Sequence, residues 1–331
     1  MISSGLYTIE EVSAMILEGK KLLLAGDTKL LSRLPKGDWI GGSTPYFILY
    51  PEQMVQSHDK LFVNCLPNFV ETIEIREYDS LNIKDICSDS PQNGFTALII
   101  PVSSPVFPEF TMNAPNYKDF ARYPLCGWIA GQSLEVIYSE KKSHVASGAR
   151  PTVYSDRAVA MHISLPADKY AEIHMFNPFE QGDGDVITFD YSEQIAKDAF
   201  INGTKRNLAE YLREMKIDVS KLPLVANYSG AMINISCFTV NDEVLLSAPV
   251  FEHVEYRVAK INDLLPEPDL NSDNITFSVT CVINYLQPEF CKKYMKKMNG
   301  PVVFGEIVYQ LVNQTTVYVT IGDVPINAKV E

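Results

Sequence analysis

The chain lacks long apolar runs and an excess of positive charge, and each absence excludes a class of protein. Its longest apolar stretches are short pieces such as TALIIPV at residues 96–102, far below the roughly 18 to 20 residues that a membrane-spanning helix requires. Lys and Arg together number 28 against 41 Asp and Glu, so the net charge is -13. Because an acidic surface repels phosphate backbones and anionic lipid head groups, we expect no nucleic-acid partner and no membrane partner.

Paired cysteines and an export signal are also missing. The six cysteines are scattered without a C-x-x-C pair, which is typical of reduced thiols in a reducing compartment. The first residues, MISSGLYTIEEV, carry Glu10 and Glu11 where an export signal would have a basic and then an apolar region. We therefore expect a cytoplasmic protein.

The order of the secondary-structure signals predicts an α+β, or mixed α/β, fold. Thr8 and Glu11 have the spacing of a capping box at a helix start. The stretches KLLLAG, DTKLLSRL and DWIGGSTPYFIL then predict a strand, a helix and a second strand broken by its glycines, an order that favours parallel or mixed pairing. Most later segments alternate like strands, apart from one amphipathic helix with Leu208, Tyr211, Leu212 and Met215 on one face and another predicted at PEFCKKYMKKM, residues 288–298.

The length predicts two fused domains with mixed β-sheets flanked by helices. A chain of 331 residues that is 46% hydrophobic can bury more than one core, and domains of about 150 residues are common. We place the boundary between residues 168 and 185, which gives an N-terminal domain at 1–170 and a C-terminal domain at 171–331. The segment from 103 to 151, rich in Pro, Tyr, Phe and Gly, is expected either to carry a binding function or to cover a sheet edge.

The stretch GDWIGGSTPYF at residues 37–47 raises three interpretations. Glycines between a helix and a strand allow backbone N–H groups to approach an anion, with Ser43 and Thr44 as further donors. No Lys follows, however, so the Walker pattern of a phosphate-binding loop is absent. The second interpretation is Ser43 as a nucleophile, but the G-x-S-x-G pattern is absent around it. The plain alternative is a strand whose pair of glycines, Gly41 and Gly42, permits close packing. The ligand-lining interpretation also stays open.

Two histidines and two further residues are candidates for chemistry. His162 and His174 lie in neighbouring alternating segments that are expected to pair, where an imidazole would serve either as a hydrogen-bonded structural group or as a ligand of a metal or of haem iron. Glu306 shares a strand face with apolar neighbours, so it points into a cleft or ends the strand in water. Cys281 is a candidate nucleophile.

The order of these pieces resembles FIST domains, a family of bacterial intracellular sensory modules. That family opens with a strand, a helix and a G-C-S-T-x-G turn, whereas this chain has Gly42 in place of the Cys and Tyr46 in place of the last Gly. Near the other end, Cys281 corresponds to a strand-ending Cys, although the usual following Arg is absent. The remaining matches to the family pattern are Gly41, Ser43, Thr44, Gly305, Glu306, Ile307 and Thr315.

The resemblance implies a sensory protein that binds a small molecule and signals to a partner such as a histidine kinase or a cyclic-dinucleotide enzyme. Some FIST proteins bind haem and sense nitric oxide, which implies haem as a candidate cofactor with His174 or His162 as its axial ligand. No motif here fixes that ligand. The ligand-binding residues that the resemblance suggests are Gly41, Gly42, Ser43, Thr44, Cys281, Gly305 and Glu306.

Two alternatives from other functional classes stay open. The first is an enzyme that uses Cys281 as nucleophile or Glu306 as base in a cleft between the domains. The second is a non-catalytic interaction protein that docks an acidic partner through a basic helix face. That face would consist of Lys292, Lys293, Lys296 and Lys297.

Overall fold

The structure is a computed structural model that describes residues 4–51, 53–136, 142–219, 221–228, 231–265, 275–287, 293–294 and 298–325. The chain forms two compact units. Unit 1 consists of residues 1–175, 268–310 and 316–331, and unit 2 consists of residues 176–267 and 311–315. These units differ from the predicted linear division at residue 170, because two C-terminal segments belong to the same unit as the N-terminal half.

Strands outnumber helices along the described chain. Up to residue 176 the elements are β1 (Gly5–Tyr7), α1 (Ile9–Leu17), β2 (Leu22–Gly26), α2 (Thr28–Leu31), β3 (Trp39–Ser43), β4 (Tyr46–Leu49), β5 (Gln53–Gln56), β6 (Leu61–Cys65), β7 (Thr72–Tyr78), β8 (Gly94–Pro101), α3 (Val106–Asn113), β9 (Leu125–Ala130), β10 (Val145–Ser147), β11 (Thr152–Tyr154), β12 (Ala158–Ser164) and β13 (Lys169–Phe176). Short 3-10 turns cover Ile83–Asp85, Ala114–Asn116 and Leu134–Val136.

The rest of the chain continues this pattern. From residue 179 to residue 261 the elements are β14 (Phe179–Gln181), β15 (Ile187–Thr188), β16 (Glu193–Ala196), β17 (Asp198–Ile201), β18 (Thr204–Asn207), α4 (Leu208–Glu214), β19 (Leu224–Tyr228), β20 (Ala231–Ile235), β21 (Cys237–Val240), β22 (Glu243–Val250) and β23 (Tyr256–Ile261). The last are β24 (Ile275–Cys281), α5 (Val282–Tyr285), β25 (Gly300–Val303), β26 (Glu306–Val308), β27 (Gln310–Val312) and β28 (Thr316–Asp323).

The predicted N-terminal helix is confirmed with its capping box. The Glu11 N–H donates to Thr8 Oγ1 at 3.3 Å, and the Thr8 N–H donates to Glu11 Oε2 at 2.8 Å. These two bonds satisfy donors that a helix start otherwise leaves unpaired. Ile9, Val12 and Ile16 form the buried face of α1.

The β-α-β order at residues 22–43 gives the predicted parallel pair. β2 and β3 pair in parallel from Leu22 opposite Trp39 to Gly26 opposite Ser43. The expectation that glycines break the second strand was wrong, because β3 runs through both glycines and pairs on its other side with β10. The interruption comes at Pro45, which has no N–H to donate to a neighbouring strand.

Three sheets make up most of unit 1. The first has the strand order β1-β6-β2-β3-β10-β11, the second includes β26-β9-β8-β12-β7, and the third has the order β13-β28-β24-β25-β4-β5. Parallel pairs occur beside antiparallel ones, for example β8 with β9. The sheets are therefore mixed, as predicted, but they dominate the structure more than an α+β description suggests.

The first sheet is covered on both faces. One face packs against α1 and α2 through a cluster that includes Leu24, Leu31 and Trp39. The other face approaches β8 and β9 of the second sheet, where Gly42 lies next to Trp128. This layering places the carboxyl ends of β2 and β3 beside the second sheet.

The segment from 103 to 151 is not an excursion that covers an edge. It contains β9, which lies between β8 and β26 and is buried along its whole length. A run of apolar residues without clear alternation is what a strand buried on both faces requires. The stretch PLCGWIAG is therefore part of the core of unit 1.

Unit 2 contains a sheet with the order β18-β17-β15-β23-β19-β20, a strand β14 paired with β23, and a three-stranded sheet β16-β22-β21. Asn202 (φ 47°) and Gly203 (φ 82°) form the turn between β17 and β18, since both have the positive φ of a type I′ hairpin. Met215 was wrongly placed on the apolar face of α4, because it lies beyond the last helical residue and is exposed. Most of the predicted helix at 288–298 falls outside the described residues.

Candidate functional site

The glycines of the GGST stretch serve close packing. A Cβ on Gly42 would lie 2.7 Å from Ile99 Cγ2 and 2.8 Å from Trp128 Nε1, and a Cβ on Gly41 would lie 2.8 Å from Leu31 Cδ2. Carbon atoms in contact normally stay about 3.5 to 4.0 Å apart. The plain interpretation, a strand whose glycines permit close approach, is therefore confirmed, and no backbone cradle for an anion is needed to explain them.

Gly42 and Glu306, two of the residues that the FIST resemblance suggests, both neighbour Trp128. Glu306 stands directly opposite Trp128 in the antiparallel pair of β26 and β9, so their side chains share one sheet face. Glu306 is fully buried, so the alternative of a strand end in water was wrong. The Trp128 Nε1 that borders Gly42 has no hydrogen-bond partner among the described residues.

Gly305 and Cys281 belong to the same neighbourhood. The Ile129 N–H donates to the Gly305 carbonyl at 2.8 Å, which ties the start of β26 to β9. Cys281 stands opposite Val303 where β24 and β25 pair in parallel. The side chain of Cys281 is buried, so a substrate cannot reach its thiol without a rearrangement of the core.

Ser43 and Thr44 hold this region together through side-chain hydrogen bonds. Thr44 Oγ1 donates to the Val302 carbonyl at 2.6 Å. Ser43 Oγ donates to the Gly131 carbonyl at 2.6 Å and accepts from the His144 N–H at 2.9 Å. These hydroxyls are saturated by the protein, so their observed role is to position neighbouring segments.

His162 lies in a buried polar network. Its Nε2 is 2.9 Å from Tyr78 Oη and its Nδ1 is 2.9 Å from Thr96 Oγ1. Burial lowers the pKa of His162 to about 4, assisted by the positive charge of Arg76. With both ring nitrogens engaged, His162 serves as a neutral structural group.

His174 is in a different environment from His162. Its Nε2 lies 2.8 Å from Thr320 Oγ1, and its ring stacks on Tyr318 with centroids 4.7 Å apart. The expected pairing of the two segments was wrong, because β12 lies between β7 and β8 while β13 lies beside β28. Within the described ranges, no group of three or more His, Cys, Asp or Glu residues is arranged to hold a metal ion.

A second group of polar residues lies at the carboxyl ends of β2 and β3, where sequence reasoning named only Ser43. We call Asp27, Thr28, Ser43, His58 and His144 the edge site. His144 Nδ1 is 3.3 Å from Thr28 Oγ1, and His58 Nδ1 is 3.3 Å from Asp27 Oδ2. Thr28 and His144 are half-buried, His58 is exposed and Ser43 is buried, so small molecules can approach the edge site at every member except Ser43.

Local structure explains how each side chain reaches the edge site. Asp27 caps α2 by accepting from the Lys29 N–H at 2.9 Å, which places Thr28 at the first helical position directly after β2. His144 immediately precedes β10, and its backbone carbonyl accepts from the Ser43 N–H at 2.9 Å. The pairing of β3 with β10 therefore brings His144 alongside the end of β2.

Electrostatics keep the His144 ring neutral near pH 7. Burial lowers the pKa of His144, and this effect outweighs the opposing hydrogen bond with the Lys142 backbone. In the tautomer that carries its proton on Nε2, Nδ1 is a hydrogen-bond acceptor for the Thr28 hydroxyl. The pair is then a hydroxyl next to a neutral base.

The sequence profile of a family of unknown function, DUF6976, matches residues 7–322. The chain belongs to the DUF6976 family. A search of the curated proteins found no match. The matched range includes the whole edge site, so its residues lie within the DUF6976 region.

One sequence signal could have located the edge site of this DUF6976 protein. In α/β sheets, ligands bind outside the carboxyl ends of parallel strands, and β2 and β3 were expected to pair in parallel. That rule points to Asp27 and Thr28 after β2 and to Ser43 and Thr44 at the end of β3. Nothing in the sequence linked His58 or His144 to them, because His58 lies 31 residues after Asp27 and His144 lies 116 residues after Thr28.

None of the described helices of the DUF6976 protein is both long enough and apolar enough to cross a membrane.

Proposed function

We propose that this DUF6976 protein binds a small polar molecule at the edge site and passes its bound state to a partner, as a sensory protein does. The observation that carries the proposal is the approach of the His144 ring to the Thr28 hydroxyl beside the Asp27 and His58 pair. Hydroxyl, imidazole and carboxylate groups that converge at a partly open surface can fix the orientation of a small ligand.

The resemblance to FIST domains supports the sensory part of the proposal. Under it, the partner is a histidine kinase or a cyclic-dinucleotide enzyme. A ligand shifts such a protein between two states only by the difference in its affinity for them. The segment that carries His144 is the element through which binding acts, because Ser43 ties that segment both to β3 and to Gly131 after β9.

The haem form of this proposal does not fit the histidines first considered. Both ring nitrogens of His162 lie 2.9 Å from hydroxyl groups inside a buried network. His174 Nε2 lies 2.8 Å from Thr320 Oγ1, so a metal ligand at that nitrogen would have to displace this hydrogen bond. We therefore propose a small polar ligand in place of haem.

The proposal is tested on the full chain by native mass spectrometry and by thermal unfolding with a panel of carboxylic acids, amino acids and nucleosides. We expect one ligand class to raise the unfolding temperature of the wild type and to lose that effect in His144→Asn. The matched control is His253→Asn, since the side chain of His253 is 87% exposed and Asn tolerates its positive φ.

Two results would overturn the proposal. One is a panel in which no compound shifts the wild type and no co-purified molecule is seen in the native spectrum. The other is a ligand that stabilises the His144→Asn and His253→Asn variants equally, because the ligand would then bind elsewhere. Retention of the Trp fluorescence spectrum shows that each variant is folded.

A further inference from the structure

We propose that Thr28 and His144 form a nucleophile and base pair, and that the edge site cleaves a small activated carboxylic ester through an acyl-threonine. This inference rests on the proposed function in that it concerns the same site. It adds a reaction and a substrate class to a binding activity. Neither Thr28 nor His144 was among the candidate catalytic residues drawn from the sequence.

The first support is the position of Thr28 on the chain. It follows the parallel strand β2 and the single residue Asp27, and it is the first residue of α2. A sharp turn from strand to helix presents a nucleophile at the edge of the sheet in the G-x-S-x-G elbow of hydrolases. Here the sequence is Gly26-Asp27-Thr28-Lys29-Leu30, with Thr in place of Ser and Leu in place of the second Gly.

The glycine before the turn has a steric reason. A Cβ on Gly26 would lie 2.5 Å from Leu61 Cδ2 and 3.3 Å from the Lys60 carbonyl oxygen. Any larger residue would push the end of β2 away from its neighbour β6. Gly26 therefore fixes the place from which Thr28 projects.

The second support is the base and its anchoring. His144 Nδ1 is 3.3 Å from Thr28 Oγ1, close to the reach of a nucleophile and its base, which is often looser without substrate. Two hydrogen bonds of 2.9 Å between Ser43 and the His144 backbone hold the base to β3. Ser43 is thus a positioning residue for His144 and does not itself contact a substrate in this scheme.

The third support is that the pair is accessible while the other candidate nucleophile is not. Thr28 and His144 are half-buried, whereas Cys281 is buried. The Asp27 carboxylate lies 3.3 Å from the exposed His58 ring. Because Thr28 and His144 are only half-buried, a substrate can approach them from solvent.

The reaction balances with water as the second substrate. Thr28 Oγ bonds to the ester carbonyl carbon while its proton moves to His144 Nδ1. The bond from that carbon to the alcohol oxygen then breaks, and the alcohol leaves with the proton from His144. Water attacks the acyl-threonine with His144 again as base, which releases the acid and returns the proton to Thr28. The net change is ester plus water to acid plus alcohol, with no oxidation or reduction.

The test uses p-nitrophenyl acetate with the full chain, followed by release of p-nitrophenolate and by intact and peptide mass spectrometry. We expect one acetyl group on Thr28, no adduct in Thr28→Ala, and an adduct in Thr28→Ser. His144→Asn should slow acylation about 100-fold or more, as loss of a general base does, while His253→Asn should acylate at the wild-type rate.

An acetyl group found on another residue, or an unchanged rate in Thr28→Ala, would refute the acyl-threonine. The Thr28→Ser variant separates loss of chemistry from loss of folding, because it keeps a hydroxyl at the same place. The ligand-binding test distinguishes the two proposals. Binding that depends on His144 without acylation of Thr28 removes only the reaction, whereas loss of both effects removes the proposed function as well.

Discussion

Substitution of Gly42 by alanine is expected to destabilise unit 1 by overpacking. The new Cβ would lie 2.7 Å from Ile99 Cγ2, 2.8 Å from Trp128 Nε1 and 3.2 Å from Ala130 Cβ. All three neighbours are at most 1% exposed. To restore ordinary carbon contacts of about 3.5 to 4.0 Å, β3 and the second sheet must separate locally by roughly 1 Å.

The magnitude follows from two opposing effects. Extra methyl groups forced into a packed core cost about 1 to 3 kcal/mol. Replacing Gly by Ala also stabilises by about 0.4 to 1 kcal/mol, because it restricts the unfolded chain. Gly5→Ala is the matched control, since Gly5 lies in β1 of the same sheet and its nearest atom would be 3.8 Å away.

The assay is urea unfolding followed by tryptophan fluorescence. The two tryptophans, Trp39 and Trp128, both lie in unit 1, so their signal reports that unit. Because the effect on the unfolded chain is common to both variants, Gly42→Ala should be about 1 to 3 kcal/mol less stable than Gly5→Ala. Equal stabilities would refute the close-packing explanation of the GGST stretch.

Three further predictions concern polar groups. Ser43→Ala leaves the His144 N–H and the Gly131 carbonyl without their partner, so the free energy of unfolding in urea should fall by about 1 to 3 kcal/mol for each group left unsatisfied. His162 has a pKa of about 4 in the folded state against 6.5 ordinarily. Its contribution to the free energy of unfolding is therefore complete above pH 6.5, and up to about 3 kcal/mol of it is lost as the pH falls toward 4. The free energy of unfolding of His162→Gln should depend less on pH across this window. Asn207→Ala removes the N-cap of α4 and should cost about 1 kcal/mol, seen as faster hydrogen exchange in α4.

Each of these predictions has a contrary outcome. An unchanged urea midpoint in Ser43→Ala would mean that the backbone of the His144 segment does not depend on that hydroxyl. Identical pH profiles for the wild type and His162→Gln would place the acid loss of stability on other groups. Faster exchange in a helix distant from Asn207 would show that the cap effect is not local.

Most of the fold could be predicted from local patterns. The capping box at Thr8, the parallel pair of β2 and β3, and the turn at Asn202 each depend on residues close together in sequence. Two of the misplacements, the role of the segment from 103 to 151 and the expected pairing of the His162 and His174 segments, depend on strand partners far away in sequence. β9 became a central strand because β26, more than 170 residues later, pairs with it, and no local pattern carries that information.

The candidate site was predictable only in part. The sequence drew attention to Ser43 and Glu306, and the structure places their segments near the same second sheet. The role of Ser43 differs from the expectation, since its hydroxyl bonds to Gly131 and His144. His144 could not have been found from sequence, because it comes next to Thr28 only through the pairing of β10 with β3.

The discontinuous course of unit 1 has a consequence for biosynthesis. β25 pairs with β4, β26 pairs with β9, and β28 lies beside β13. The strands β4, β9 and β13 therefore each pair with a strand from the last quarter of the chain. During translation the ribosome must produce residues 176–267 before those partners emerge. The nascent N-terminal segment therefore holds unpaired strand edges, which are templates for aggregation. A fragment that ends near residue 175 should need chaperones or precipitate, whereas the intact chain closes its own edges.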